Sequence, residues 1–356
     1  LSNDQKQLLS DIGDNLDAAI SYQIDSVGIQ EVGVMYEKAD SLGYEVYRYA
    51  PSSGIYHVSF SYVGPGNGNY IRDESAAANG RVYQWISPNS SGSPQGDYEP
   101  IVLLVTPKKK QMVAFNGSYK ISNSSSTYFD LALSNNDINT FSKKDQIDDF
   151  GYAFKLGIRT KYALSNTKVN PWILWSDLNY EQVDRHFSPI ERFRSVEFER
   201  DWNVKDIPLA GNDYIPGIQL ALKKKKTGIM QYQFKTFIKG NDYQAIKNSG
   251  FLDIKNNGFK VYGKASILQS ESNITDSRFI RSKGFVSKQF KWLVVGISEE
   301  QEYNSLWHNS TDSLLHASYS FYELGGFVKS PDTAKNKYGI TYKQRTDLLP
   351  FNNTLY

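Results

Sequence analysis

Three carboxylates stand two residues apart at Glu197, Glu199 and Asp201. Acid pairs hydrolyse glycosides when one protonates the leaving group and the other attacks or activates water. On a strand, however, i, i+2 residues share one face, and charges there find cross-strand lysines and arginines as partners. This spacing therefore indicates ion pairing before hydrolysis. The four histidines, His57, His186, His308 and His316, sit in no nucleophile motif, and no G-x-S-x-G occurs. The chain has no cysteine. That excludes a thiol nucleophile, a Cys-ligated metal and a disulfide framework. Gly64-Pro65-Gly66-Asn67-Gly68-Asn69 has the glycine density of a phosphate loop. It lacks the following lysine and a helix start, so it reads as a turn. No catalytic constellation, metal site or cofactor site emerges, and the expectation is a non-enzyme.

Charge excludes a further class. Forty Lys+Arg face 38 Asp+Glu in 356 residues. Nucleic-acid binding needs a concentrated basic surface, which this balance does not give. The two lysine runs, Lys108–Lys110 and Lys223–Lys226, read as solvated turns. At a membrane boundary such runs also meet anionic lipopolysaccharide.

The elements that carry these residues are mostly strands. Leu8, Leu9, Ile12, Leu16, Ala19 and Ile20 recur at helical steps behind a Ser2/Gln5 capping pair, which predicts a helix over residues 1–20. Residues 44–106 hold short strands between turns. From about residue 110 long alternating segments take over. In Phe150–Tyr162, Phe150, Tyr152, Phe154, Leu156, Ile158, Thr160 and Tyr162 share one face, while Lys155, Arg159 and Lys161 share the other. Similar alternation centres on Val113–Ile121, Phe129–Leu133, Val196–Trp202, Ile218–Leu222, Met230–Ile238, Phe259–Ile267, Leu315–Phe321 and Tyr338–Tyr342. With weaker segments near 169–180, 278–288 and 291–303, about twelve strands are expected.

Two architectures write such strands. A soluble sandwich or barrel turns the apolar face inward. A transmembrane barrel turns it to lipid and fills the interior with polar groups. Length favours the second, because soluble strands average about five or six residues and bilayer-spanning strands need about nine to eleven. Aromatics near strand ends fit interfacial belts. The links also alternate short (122–126), long (135–149), short (163–168) and long (181–192), until a tight turn at Lys224–Thr227 falls where a long loop is due.

The runs YHVSFSYVGPGNGNYI from Tyr56, QGDYEPIVLLVTPKKKQM from Gln95, YFDLALSNNDINTFSKKDQIDDFGYAFKLGI from Tyr128 and SVEFERDWNV from Ser195 resemble large outer-membrane proteins of Bacteroidota. These place an extracytoplasmic region before a C-terminal β-barrel and have no assigned activity. The resemblance spans about residues 45–345 and implies location and fold, not chemistry. The chain opens at Leu1 in a polar segment without an initiator methionine, so the expectation is a removed signal peptide or a fragment, with a cytoplasmic protein as the alternative.

The resulting expectation is an all-β protein with two regions. Residues 1–106 form a small mixed, mostly β, plug-like region with one short helix. Residues 107–356 form an antiparallel transmembrane barrel of about twelve or more strands, porin-like and possibly incomplete. Lumen-facing charges are expected at Lys155, Arg159, Lys161, Glu197, Glu199, Asp201, Lys223, Lys235, Lys239, Lys264 and Lys343. Lipid-facing residues are expected at Tyr152, Phe154, Leu156, Ile158, Phe198, Leu220, Phe234, Val261, Tyr319, Phe321, Ile340 and Tyr342. The expected location is the bacterial outer membrane, and the expected role is that of a structural or accessory subunit of a complex. Its partners would be outer-membrane lipid, lipopolysaccharide and other outer-membrane or periplasmic proteins, with no nucleic acid. The alternatives are a diffusion channel or transporter with a basic lumen, and a secreted soluble glycan-binding β protein.

Overall fold

The computed structural model describes residues 1–29, 33–164, 170–205 and 207–350. It is mainly β, with antiparallel sheets and one short N-terminal helix. Among the described residues no helix is long and apolar enough to cross a membrane. The chain divides into two compact units, Leu1–Lys109 with Asn136–Asp149, and Lys110–Asn135 with Phe150–Tyr356. The expected boundary at 106/107 lies close to this division, but the 136–149 segment belongs with the first unit.

In the first unit, α1 (Asn3–Ile12) starts at a capping box in which Ser2 and Gln5 satisfy each other's backbone N–H. It ends at Gly13, whose φ of 64° lies in the left-handed region, so the helix is shorter than the expected 1–20. The strands that follow are β1 (Ile20–Ser21), β2 (Ile24–Ser26), β3 (Tyr36–Ser41), β4 (Tyr44–Tyr49), β5 (Tyr56–Val58), β6 (Ser61–Tyr62), β7 (Tyr70–Asp73), β8 (Val82–Trp85), β9 (Tyr98–Glu99) and β10 (Val102–Leu103). They make two four-stranded sheets of the same plan, β2-β5-β3-β4 and β6-β9-β7-β8, while β1 pairs with β10. The plan is repeated in the core. The Tyr47 N–H donates to the Tyr70 hydroxyl at 2.8 Å, and the Tyr83 N–H donates to the Tyr36 hydroxyl at 2.9 Å. Phe60 lies between the halves, with ring centroids 4.6 to 5.2 Å from Tyr83, Tyr70 and Tyr36. Burial pushes both phenols, Tyr36 and Tyr70, up to about 12.

The 136–149 segment is tied to α1 from inside this unit. The buried Asn139 amide donates to the Leu9 carbonyl at 2.7 Å and to the Gly13 carbonyl. Ser142 donates to the Ser10 carbonyl at 2.9 Å. This docking brings carboxylate oxygens of Asp14, Asp148 and Asp149 within 4.8 Å of one another. Burial, then repulsion from neighbouring aspartates, raises the pKa of Asp14 and of Asp149. A carboxyl whose folded-state pKa is raised holds its stability below the unfolded value of about 4, and that stability is lost as pH rises through the raised value.

The second unit is built from β11 (Lys109–Lys120), β12 (Ser125–Asp137), β13 (Phe150–Ala163), β14 (Ile173–Val183), β15 (Asp213–Lys224), β16 (Gly228–Lys239), β17 (Tyr243–Asn256), β18 (Phe259–Ser272), β19 (Thr275–Gln289), β20 (Val294–His308), β21 (Ser313–Leu314), β22 (Tyr319–Lys329) and β23 (Gly339–Pro350). Twelve of these follow one another in chain order across a single antiparallel sheet, and β21 adds a thirteenth beside β20. The sheet is open: β11 and β23 are its edges and do not pair with each other among the described residues. The expected strand at 196–202 is absent. That segment lies in a long connection, residues 184–212, and contains the short helix α2 (Phe198–Asp201). Removing the false strand puts the 225–227 turn on the short-loop side, although the 240–242 and 273–274 links on the other side are also short. Residues 165–168 of the expected 163–168 turn and the segment after Pro350 lie outside the described residues.

The acidic cluster gives a measurable consequence. Asp14→Asn removes one of the repelling charges. Residues 9–14 should then retain hydrogen-exchange protection to higher urea at about pH 7, with little change at about pH 4. Equal effects at both pH values would contradict this account.

Candidate functional site

Period-two alternation gives the large sheet two faces, and the register shows which residues share them. One row across the sheet reads Tyr128, Gly157, Asn179, Gly217, Lys235, Lys247, Leu268, Phe279, Asn304 and Tyr319. The 184–212 segment lies on this side, here called the strap face. The adjacent row on the other side reads Ile158, Leu178, Ile218, Phe234, Asn248, Ile267, Ile280 and Tyr303. Among the described residues nothing covers that side over most of its area, where Ile158, Leu178, Ile218 and Ile267 are exposed, and it is here called the open face.

The strap is held by apolar packing and by charge. Trp202 and Phe198 pack on Phe237 with centroids 5.4 and 5.5 Å away, joined by buried Ile215, Tyr243 and Phe279. The Tyr243 hydroxyl donates to the Trp202 carbonyl. Asn203, at a left-handed φ of 49°, donates from its amide to Ser277 and to Asn304, each at 2.8 Å. Asp201 is shared by Lys247 at 3.2 Å and Arg281 at 2.5 Å. Arg200 reaches Glu302 at 2.6 Å. At the near end Arg194 bridges Glu181 at 2.5 Å and Asp213 at 2.9 Å. These contacts join one connection to β14, β15, β17, β19 and β20.

Beside the strap lies a cavity of about 1220 Å³, walled by residues from β11 through β20. Ten flat strands would span about 40 Å at the usual spacing. One cavity touching Ala114 and Glu300 therefore requires the sheet to curl around it. The wall residues, such as Lys155, Ser249, Lys264 and Glu300, lie near the middles of their strands.

Every expected charged strand residue falls on the strap face, but most are matched. Lys155 faces Glu181, Arg159 pairs with Asp177 at 2.8 Å, Lys239 with Asp213 at 2.8 Å and Lys343 with Glu323 at 2.6 Å. Lys223 lies over the Trp175 ring, and Lys161 is in register with that tryptophan. Lys235 and Lys264 line the cavity with no ion-pair partner among the described residues. The Lys235 stem crosses Gly217: a side chain there would meet Lys235 Cγ at 3.0 Å and Asn179 Oδ1 at 3.1 Å. Glu197, Glu199 and Asp201 are not a strand triplet. They lie at α2, where Glu197 pairs with Arg200 and Asp201 with the sheet. Most charges of the strap face are thus matched, with Lys235 and Lys264 the cations left without an ion pair among the expected strand residues apart from Lys161 and Lys223 at tryptophan.

Of the residues expected to face lipid, Tyr152, Phe154, Leu156, Ile158, Leu220, Phe234, Val261, Ile340 and Tyr342 lie on the open face. Three residues are corrected. Phe198 is in the strap, packed on Phe237. Tyr319 and Phe321 share the strap face with Asn304 and Glu302: Tyr319 donates to Glu302 at 2.9 Å, and Arg345 lies over Phe321 at 3.8 Å. Sequence alone missed Arg194, Trp202, Asn203, Lys247, Arg281 and Glu302. The available signal was a long connection unusually rich in large aromatics, from Phe187 to Trp202.

The Asp201 clasp separates buried from exposed electrostatics. Asp201→Ala leaves Lys247 and Arg281 side by side and largely buried, and should lower unfolding stability in detergent by about 3–5 kcal/mol. Asp347→Ala removes a pair that is more than half exposed, Arg345–Asp347, and should cost about 0–1 kcal/mol. Similar urea midpoints for the two variants would refute the clasp.

No protein-family model matches the chain, and no curated protein or solved structure matches it.

Proposed function

We propose that the second unit is the wall of an outer-membrane β-barrel and that the protein is a structural or accessory subunit of an outer-membrane complex. The observation that carries this reading is the inversion of the sheet. Its charged face holds a strap and a cavity, while its aliphatic face lies bare. Leu156, Ile158, Leu178, Ile218, Leu220, Ile267, Val286, Ile297, Leu324, Val328 and Ile340 are all on the bare side, with exposures from 37 to 80 %. Monomers in water rarely show a contiguous apolar patch above a few hundred Å². In lipid the same face is the expected one. The 11- to 15-residue strands of the main sheet add to this, since a tilted strand needs about nine to eleven residues to span the hydrocarbon.

Closure follows from the same reading. Unpaired N–H and C=O groups are not tolerated in lipid. In an antiparallel sheet of twelve strands the two edges, β11 and β23, run in opposite directions, so they can pair directly. A structural role is supported by where the acids are. Of the carboxylates most suggestive of hydrolysis, Asp201 is engaged in ion pairs that hold the strap to the sheet, and Glu197 pairs with Arg200 within the strap.

Two measurements test the reading. Extracted in mild detergent, the protein should migrate differently on an SDS gel before and after boiling, as a closed barrel resists SDS until heated. Leu220→Arg, near the middle of β15 on the open face, should cost about 2–4 kcal/mol of stability in lipid. On the surface of a water-soluble sheet the same change stays within about 0.5 kcal/mol. A protein soluble without detergent, showing no mobility shift and indifferent to Leu220→Arg, would overturn the proposal.

A further inference from the structure

The open face is not uniformly apolar. At the middle of β17–β20 the register sets Gly250 beside Ala265, Ser282 and Gln301, and Gly263 beside Gly284 and Glu299. Glu300 and Glu302 belong to the strap face, where they pair with Lys283 and Arg200. Glu299 and Gln301, one residue out of step, therefore stand on the open face. Glu299 accepts from the Ser282 hydroxyl at 3.0 Å. A side chain built on Gly250 or Gly263 would meet nothing within 4 Å, so the space above these two glycines is open, and it is here called the notch. Around it the face is apolar again, with Ile267 and Ile280 in one direction and Val286 and Ile297 in the other.

We propose that this notch docks a membrane-spanning segment of a different protein, one that presents a cation to Glu299 and an apolar side chain over Gly250 and Gly263. The inference rests on the membrane reading of the sheet and names the kind of partner an accessory subunit would hold. A carboxylate directed at hydrocarbon is costly, and ionisable groups at membrane depth pair with one another or with polar groups. Small residues let a second backbone approach closely in the bilayer, where packing and hydrogen bonds replace the hydrophobic drive. Glycine within a strand marks such close approach.

Charge decides between occupants. A two-fold dimer through this notch would set Glu299 against Glu299 of its copy. A head-to-tail copy would have to supply a cation from elsewhere on the open face. At mid-depth that face offers none among the described residues: Lys224 ends β15, and Arg278 and Lys288 sit near the ends of β19. The complement must come from another chain.

The absence of cysteine makes the test direct. Single variants Ser282→Cys, Gly250→Cys and Leu156→Cys are reacted with a lipid-soluble maleimide in native membranes. Each protein is then purified and its labelling measured. The same reaction is run on the purified protein reconstituted alone in phosphatidylcholine vesicles. Leu156→Cys should label in both settings. Ser282→Cys and Gly250→Cys should label in vesicles and be protected severalfold in native membranes, and adding Glu299→Lys should abolish that protection. Equal labelling of the notch and Leu156 positions in native membranes would overturn the docking site, as would a disulfide-linked homodimer of Ser282→Cys on oxidation. Protection that survives Glu299→Lys would also overturn it. Ready labelling of Leu156→Cys in vesicles by a charged, membrane-impermeant maleimide would instead sink the membrane reading itself, since a thiol held in hydrocarbon is out of that reagent's reach.

Discussion

An antiparallel ladder leaves no freedom in where a side chain points. Once the register of one strand is set, every residue of its neighbour is assigned to a face, and a slip of one position would exchange the two faces completely. In this sheet the ladder runs through twelve strands, and from β12 to β23 the described registers shift once, between β22 and β23. The alternation written into each strand is therefore carried around the whole surface. The strap face gathers the charges because the ladder requires it, and the open face gathers the aliphatics for the same reason. The strap, the cavity and the notch all depend on that one bookkeeping of odd and even positions.

The strap turns a polar surface into a stable interior. A face of lysines, acids and serines has little to gain from collapsing on itself. The 184–212 connection supplies both missing components. Trp202 and Phe198 give an apolar centre beside Phe237, and Asp201, Arg200 and Arg194 give counter-charges to residues on five strands. Neither component would suffice alone. Unpaired Lys247 and Arg281 would resist burial, and Trp202 without its polar anchors could settle in more than one way. Charge matching also removes the sign that the strands taken alone suggest, since most cations already have a partner.

The strands were legible because period two is a local signal that tertiary context did not override. The capping box at Ser2 and Gln5 was legible for a similar reason, being complete within four residues. The strap was not. Val196, Phe198 and Trp202 mimic an alternating strand, yet Asn203 takes a left-handed backbone and the helix at Phe198–Asp201 closes through partners 46 to 102 residues away. Such partners leave no trace at local spacing. Tyr319 and Phe321 failed for another reason. Aromatics were assigned to the apolar face by type, whereas Tyr319 carries a hydroxyl that reaches Glu302 and Phe321 stacks under Arg345. The docking of residues 136–149 on α1 was equally invisible, because it rests on Asn139 meeting carbonyls at the far end of the chain.

The tyrosine exchange in the first unit ties two similar halves into one folding unit. Each half uses the other's phenol to satisfy a buried backbone N–H, at Tyr47 in one direction and at Tyr83 in the other. A half folded alone would strand a buried donor and lose its share of Phe60, and a stranded donor costs about 1–3 kcal/mol. The two sheets repeat one plan but are not independent modules. Once two such copies exchange acceptors, neither can be lost, swapped or duplicated singly, and the pair becomes the smallest unit on which selection can act.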